Sequence, residues 1–360
     1  MLRQNVIYTV SRPITTGKSF VQGLKAALSE DAVLRNQEWM ESNPHFQKLI
    51  DSGMRYNKTG ADAAADQRAE AFMSDFINKI PAWTGIGPIL RASARFHTHF
   101  LNNIRFNVAN KMLNPRILNK YKSQAEIDEL YRQVADTVNV FTGEAKLESI
   151  GTPFRALGKI TGGRIGGKGL SKQQQQLIEN IAYNTMWAPR LWLSRIMIPF
   201  MILKNPMVRK EVARDLGTFL STGIGILSLA NMKDDVKVNF RKGEIKFQDG
   251  TSFRIWGGME QFANFVIDAG RDYKISSTGG KFKVGDPTNR GMRILTQAGR
   301  YIRGKANPLL GELIDHITGK DFFGEDTFDR YDSKNFLSVS SRNPFIQSLA
   351  PLVVAEVLQV

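Results

Sequence analysis

The sequence predicts a mainly α protein, a multi-helix assembly that includes a small antiparallel β meander at about residues 235–256. Apolar residues recur at helical spacing along much of the 360-residue chain. After Met232 the period of this pattern changes from 3.6 residues to 2, which indicates strands. Clusters of glycine and proline interrupt the helical pattern and mark its breaks.

Six segments follow from these breaks. They are an N-terminal helical segment (1–80), a basic amphipathic helical region (81–149), a Gly-rich basic linker (150–170), an apolar helical region (171–232), the β meander (233–258) and a C-terminal helical region (259–360). The linker combines many glycines with basic residues and contains no acid, which favours a boundary between domains.

Helices are predicted at 19–27, 61–80, 89–113, 124–141, 259–272, 290–303 and 309–318. The helix at 89–113 has the clearest pattern, because an apolar residue occurs every fourth position and builds one face: Phe96, Phe100, Ile104 and Val108. Pro115 ends or kinks it. Gly143 ends the next helix.

An uncharged stretch of the chain lies between Asp215 and Lys233. Its length is at the lower limit for crossing a bilayer, and it contains glycine and hydroxyl residues. A buried core helix is the favoured interpretation, and conditional insertion into a membrane is the alternative. The apolar residues that would enter the membrane are Leu216, Phe219, Leu220, Ile224, Ile226, Leu227 and Leu229.

The meander follows this stretch. Apolar and polar residues alternate around Val238, Ile245 and Phe253, and glycine-containing turns separate the three runs. The pair Asp249-Gly250 is a strong hairpin signal. A sheet of this size with one apolar face needs a cover, so we expect it to pack on the flanking helices.

The charge of the chain is strongly positive. It contains 49 Lys and Arg against 34 Asp and Glu, a net charge of +15. Such a surface attracts nucleic acid, an anionic membrane or an acidic protein, and all three remain open. The absence of cysteine excludes disulfides and thiolate chemistry. With four histidines and no ligand spacing among them, neither a metal nor a cofactor is expected.

Basic residues are concentrated where acids are missing, most clearly between Asp75 and Glu126. The candidate residues for binding nucleic acid or another anionic surface are Arg91, Arg95, Arg105, Lys111, Arg116, Arg164, Lys168, Arg190 and Arg195. A basic stripe opposite an apolar one suits a helix that tracks phosphates, and equally a helix on a membrane surface. Salt bridges to other segments, with guanidinium groups locking helix ends and turns, explain it as well.

No catalytic arrangement is recognisable, and an enzyme is not expected. Residues 162–168 fit part of a phosphate-binding loop, but Gly169 stands where a hydroxyl must reach magnesium. The sequence Thr16-Gly17-Lys18-Ser19 has the right ending and lacks the first glycine.

A series of short motifs over about residues 89–352 resembles the C-terminal region of the large polyvalent proteins of phages and mobile elements. The residues that carry it are Ser93-Ala94-Arg95, Phe100-Leu101-Asn102-Asn103-Ile104-Arg105, Val138-Asn139-Val140-Phe141-Thr142-Gly143, Ala188-Pro189-Arg190, Ser194-Arg195, Trp256-Gly257-Gly258-Met259-Glu260-Gln261-Phe262, Arg303-Gly304-Lys305-Ala306-Asn307-Pro308, Thr318-Gly319-Lys320-Asp321-Phe322-Phe323-Gly324 and Leu349-Ala350-Pro351-Leu352. Some of these proteins are packaged in the virion and enter the host with the DNA.

The resemblance and the charge together lead us to expect a phage virion protein of the head interior or tail lumen. It would bind DNA non-specifically, assemble with other virion proteins in a homo- or hetero-oligomer, and guide the genome or be ejected with it into the host cytoplasm or envelope. One alternative is an ejection factor that inserts into the host membrane. Another is a co-injected anti-defence protein that protects the incoming DNA.

Overall fold

The chain is mainly helical with a small antiparallel sheet, as the sequence predicts. The computed structural model describes residues 5–57, 86–146, 189–269, 273–275 and 281–283. Its α-helices in this part of the chain are α1 (Val6–Ser11), α2 (Pro13–Leu28), α3 (Glu30–Glu41), α4 (Phe46–Asp51), α5 (Ile86–Met112), α6 (Pro115–Leu118), α7 (Gln124–Phe141), α8 (Pro189–Met197), α9 (Met201–Lys204), α10 (Arg209–Ala230) and α11 (Glu260–Ala269). Its strands are β1 (Val236–Asn239), β2 (Glu244–Phe247), β3 (Ser252–Arg254), β4 (Tyr273–Ile275) and β5 (Lys281–Lys283).

The chain divides into two compact units. The first comprises Met1–Lys146 and Trp187–Ala263, and the second comprises Leu147–Met186 and Asn264–Val360. The first unit therefore contains parts of several of the segments into which the glycine and proline breaks divide the sequence. In the second unit, β4 and β5 form an antiparallel pair with Lys274 opposite Phe282.

The antiparallel helices α2 and α5 form the most extensive pair of elements among the described residues. Three contacts define their register: Arg95 with Ala27, Asn107 with Ser19, and Lys111 with Thr15. They approach closely because Gly23 has no side chain, and a Cβ there would lie 3.0 Å from the Phe96 ring. The predicted apolar face of α5 is buried at Phe100, Ile104 and Val108.

Helix α7 has the bounds that the sequence predicts. A capping box begins it, since the Ser123 hydroxyl accepts a hydrogen bond from the Glu126 amide and the Glu126 carboxylate accepts one from the Ser123 amide. After its last turn Gly143 has a φ of 89°, a conformation that suits glycine. The helix is largely buried, and the Phe141 ring stacks on Tyr8 of α1 at 5.2 Å.

The strands β1, β2 and β3 form the predicted meander. Val238 lies opposite Ile245, and Ile245 lies opposite Phe253. The expected cover is α10, because the buried Trp256 that follows β3 contacts Phe219 of that helix at 5.8 Å. The cover is partial, since Phe253 at the far end of the sheet remains 59% exposed.

Several predicted features lie outside the described residues. They are the helices at 61–80, 290–303 and 309–318, the linker at 150–170 and the incomplete phosphate loop at 162–168. The second candidate loop, at residues 16–19, lies within α2. Its backbone amides are therefore in helical hydrogen bonds rather than free to hold a phosphate.

Candidate nucleic-acid interface

The candidate arginines divide into those used inside the protein and those at its surface. Arg105 is fully buried, although its position in an acid-free run made it a candidate surface contact. Its Nε donates to the Thr142 hydroxyl at 2.8 Å, and its Nη2 lies 3.9 Å from a Glu144 oxygen. Arg105 cannot reach an external phosphate from there, so the prediction that it binds nucleic acid or another anionic surface is wrong. A charge count along the chain does not show that α5 is enclosed on several faces.

Arg190 and Arg195 also lie against other parts of the first unit. Arg190 Nη1 is 3.4 Å from Glu144, which therefore lies between this arginine and Arg105. The Arg195 guanidinium lies so close to Gly258 that an added Cβ there would be 3.0 Å from Nη2. Both side chains are half-buried.

Arg95 links three helices at its place on α5. Its Nη1 lies 3.0 Å from Glu30 of α3, and its Nη2 donates to the Ala27 carbonyl of α2 at 3.1 Å. Arg91, one turn earlier, is half-buried as well. The next position of this row, His99, is buried, and burial lowers its pKa. The predicted basic stripe of α5 is therefore only partly accessible.

The motifs that carry the family resemblance meet one another in the structure. Arg105 of one motif contacts Thr142 of the next, and the Ser194 hydroxyl of a third accepts a hydrogen bond from the Ala145 amide. Asn102 and Asn139 both hold the backbone of residues 53–57, each with its amide donating to a carbonyl and its oxygen accepting from an N–H. In this part of the chain the motif residues stabilise the fold.

One group of exposed cations lies at the C-terminal end of α5. We call this group the basic corner and define it as Lys18, Lys111, Arg116, Lys120 and Lys122, all exposed. The Lys111 amine donates to the Thr15 hydroxyl, which places it beside α2. Burial and then the charges of Arg12 and Lys18 lower the pKa of Lys111. The short helix α6, which Asn114 caps through the Ile117 amide, carries Arg116.

The carboxylates in the described part of the chain do not neutralise the basic corner. Within the described ranges, Arg116, Lys120 and Lys122 form no ion pair. The next acid along the chain, Glu126, accepts hydrogen bonds from the amides of Ser123 and Lys122 at the start of α7. These bonds, with that of the Ser123 hydroxyl, lower the pKa of Glu126 and hold its charge at the helix end.

Of the remaining candidates, Arg164 and Lys168 lie outside the described residues. The proposed membrane segment is part of α10, with Leu216, Phe219 and Leu227 buried, Leu220 half-buried, and Ile224, Ile226 and Leu229 exposed. No helix in the described part of the chain is both long enough and apolar enough to cross a membrane. Nor do the described histidines and acids form a group of three that could hold a metal ion.

A buried charged cluster links α1 and α2 to α10, and no pattern in the sequence indicates it. Arg12 Nε donates to both oxygens of Asp215, at 3.1 and 2.9 Å, and its Nη2 donates to Glu211 at 2.9 Å. Tyr8 lies beside them, and burial raises its pKa well above the usual value. Arg12 and Asp215 are closed to solvent, so the cluster joins elements rather than forming an open site.

Comparison of the chain with protein-family models, with curated proteins and with solved structures finds no match. A functional assignment therefore depends on the geometry of the described residues and on the motif resemblance. Among these residues, the basic corner is the arrangement best suited to bind an anionic partner.

Proposed function

We propose that the chain is a phage virion protein of the head interior or tail lumen that binds DNA non-specifically through the basic corner. One observation carries the DNA part of the proposal: five exposed cations lie at one end of α5, and the described carboxylates leave them unneutralised. The motif resemblance supports the virion part.

Non-specific binding is the mode that this surface favours. Lysine and arginine side chains on a short helix and its turns bind phosphates and release the counterions condensed on DNA. Reading of base sequence needs a helix or ribbon that presents several fixed polar side chains to a groove. The helix that carries the predicted stripe, α5, is packed against α2 and does not offer such a face.

The test is a titration of the full chain with a labelled DNA duplex of about 30 base pairs between about 50 and 200 mM salt. We expect log Kd to vary linearly with log salt and the affinity to be the same for duplexes of different sequence. The variant Arg116→Gln/Lys120→Gln/Lys122→Gln should reduce the salt slope by about 0.9 for each phosphate that the replaced side chains neutralise in the natural chain.

A matched control separates a local site from the effect of net charge. Lys237, Lys242 and Lys246 of the meander are also exposed, and their replacement by glutamine removes the same three charges. We expect that variant to keep the slope of the natural chain. Equal losses of affinity in the two triple variants, or binding that does not depend on salt, would contradict a role for the basic corner.

Counting this polypeptide in purified virions by quantitative mass spectrometry tests the virion part. A reproducible copy number per particle supports it. Absence from particles together with abundance in infected cells would contradict both the virion proposal and the co-injected anti-defence alternative, and would favour a DNA-handling role inside the infected cell.

The membrane-active alternative has one observation in its favour. The C-terminal end of α10 and the turn that follows it expose apolar side chains, with Leu229 67% and Met232 80% exposed. Binding to anionic liposomes that Leu229→Lys abolishes would support it. Leu229 is a better choice for this test than the buried Leu227, whose replacement by lysine would disturb the core.

A further inference from the structure

Helix α2 carries an apolar stripe on the side that faces away from α5. Ile14 is 73% and Leu28 86% exposed, and Val21 and Leu24 between them are also exposed. Residues 14, 21 and 28 follow each other at intervals of seven, and residues 17 and 24 fill the alternate positions. This is the heptad spacing with which one helix packs along another. We call this surface the heptad stripe.

The stripe has room for the side chains of a second helix. Position 17 is glycine, and a Cβ built there meets nothing within 4 Å. The exposed apolar surface is on the order of 500 Å², within the range of the largest patches on monomeric proteins, which are often functional. Such an area fits a single helix of a few turns.

The charge beside the stripe selects the partner. Lys18 and Lys25 are exposed along one edge of it, and α2 contains no acidic residue. A second copy of the chain would bring the same lysines to the contact, where like charges repel each other. A helix with acidic residues beside its own apolar stripe complements both features.

We propose that the heptad stripe is a docking surface for an amphipathic helix of a partner protein, and that Asp or Glu residues flank the apolar stripe of this helix. This interaction differs from DNA binding, because the stripe uses apolar contacts along α2 and shares only Lys18 with the basic corner. It gives the chain a way to join another protein of an assembly while Arg116, Lys120 and Lys122 of the basic corner remain accessible.

The experiment uses the full chain and synthetic three-heptad peptides of about 21 residues as probes. One peptide has Leu and Ile at the heptad core positions and Glu at the flanking positions, and the second has Lys in place of Glu. A third keeps the composition of the first in scrambled order. We expect fluorescence anisotropy to show binding of the first peptide, and binding at least about tenfold weaker for the other two.

Two variants locate the contact. Val21→Glu places a charge in the middle of the stripe and should abolish binding of the Glu-flanked peptide. Leu34→Glu makes a comparable change at an exposed apolar position of α3 and should leave binding unchanged. Circular dichroism verifies that both variants fold.

Three results would overturn the proposal. They are absence of peptide binding, equal binding of the ordered and scrambled acidic peptides, and self-association of the chain that Val21→Glu abolishes. The last result would assign the stripe to a second copy of the chain. None of these results depends on whether the chain binds DNA.

Discussion

Replacing Arg12 by methionine should strongly destabilise the first unit. Arg12 donates three of the hydrogen bonds in the buried cluster, two to Asp215 and one to Glu211. Without it the Asp215 carboxylate, whose side chain is 1% exposed, keeps among the described residues only a 3.4 Å contact with the exposed Arg214. Leaving one charge of a buried pair without its partner costs about 3–5 kcal/mol, and we expect a loss of stability in this range.

The double variant Arg12→Met/Asp215→Leu tests the physical reason. Replacement of a buried ion pair by apolar residues of similar volume is often neutral or stabilising, so the double variant should regain most of the missing stability. Urea unfolding followed by circular dichroism measures both free energies of unfolding. A loss below about 1 kcal/mol for Arg12→Met, or a double variant as unstable as the sum of the single ones, would refute the reasoning.

Three further predictions concern single residues of the first unit. Burial lowers the pKa of His97 to about 4, whereas the histidine of the unfolded chain binds a proton near pH 6.5. The free energy of unfolding should therefore fall by up to about 3 kcal/mol as the pH falls from 6.5 to 4. Urea unfolding of His97→Gln should show a weaker dependence on pH. Both ring nitrogens of the buried His99 lack a hydrogen-bond partner among the described residues, so His99→Leu should leave the free energy of unfolding unchanged or raise it by about 1 kcal/mol. A Cβ at Gly223 would overlap the Trp256 ring, so Gly223→Ala should lower the thermal midpoint and reduce the free energy of unfolding by about 1–3 kcal/mol. Gly225 has open space at the position of a Cβ, so Gly225→Ala should raise the thermal midpoint.

Controls separate these effects from general disturbance. His45, whose pKa burial lowers as well, is less enclosed than His97, and His45→Gln should retain most of the acid dependence. An unaltered pH profile in His97→Gln would show that other groups cause the acid sensitivity. A loss of stability above about 1 kcal/mol in His99→Leu would mean that its nitrogens have a hydrogen-bonded partner after all. Equal thermal midpoints for the two glycine variants would contradict the close approach of Trp256.

Local patterns predicted the elements of the fold well. The bounds of α7 and the end of α5 follow from apolar spacing and from a capping residue, a proline and a glycine, all of which act within a few residues of the helix end. The starts of α5 and α2 were predicted less well, since α5 begins at Ile86 rather than residue 89 and α2 at Pro13 rather than residue 19. The register of the meander follows from alternation and from the turn at Gly250, which has a φ of 86°. These signals are readable because each depends on neighbours in the chain.

The candidate site was harder to predict because exposure depends on distant residues. Arg105 and Arg116 are equivalent in a count of charges, yet the first is enclosed and the second lies on the surface. Asp215 marked merely the edge of an uncharged stretch, and nothing near it indicated Arg12. The heptad stripe could have been noticed in the sequence, but its apolar residues would have been assigned to the core.

The Arg12–Asp215 contact also has a consequence for the order in which the protein forms. The two residues are 203 positions apart, and a ribosome that adds about 5–20 residues per second needs about 10–40 s to cover that distance. During that interval α10 has not been synthesised, so Arg12 of a nascent chain has neither Asp215 nor Glu211 as a partner. The native contact of α1 and α2 with α10 can therefore form only after residue 215 has left the ribosome.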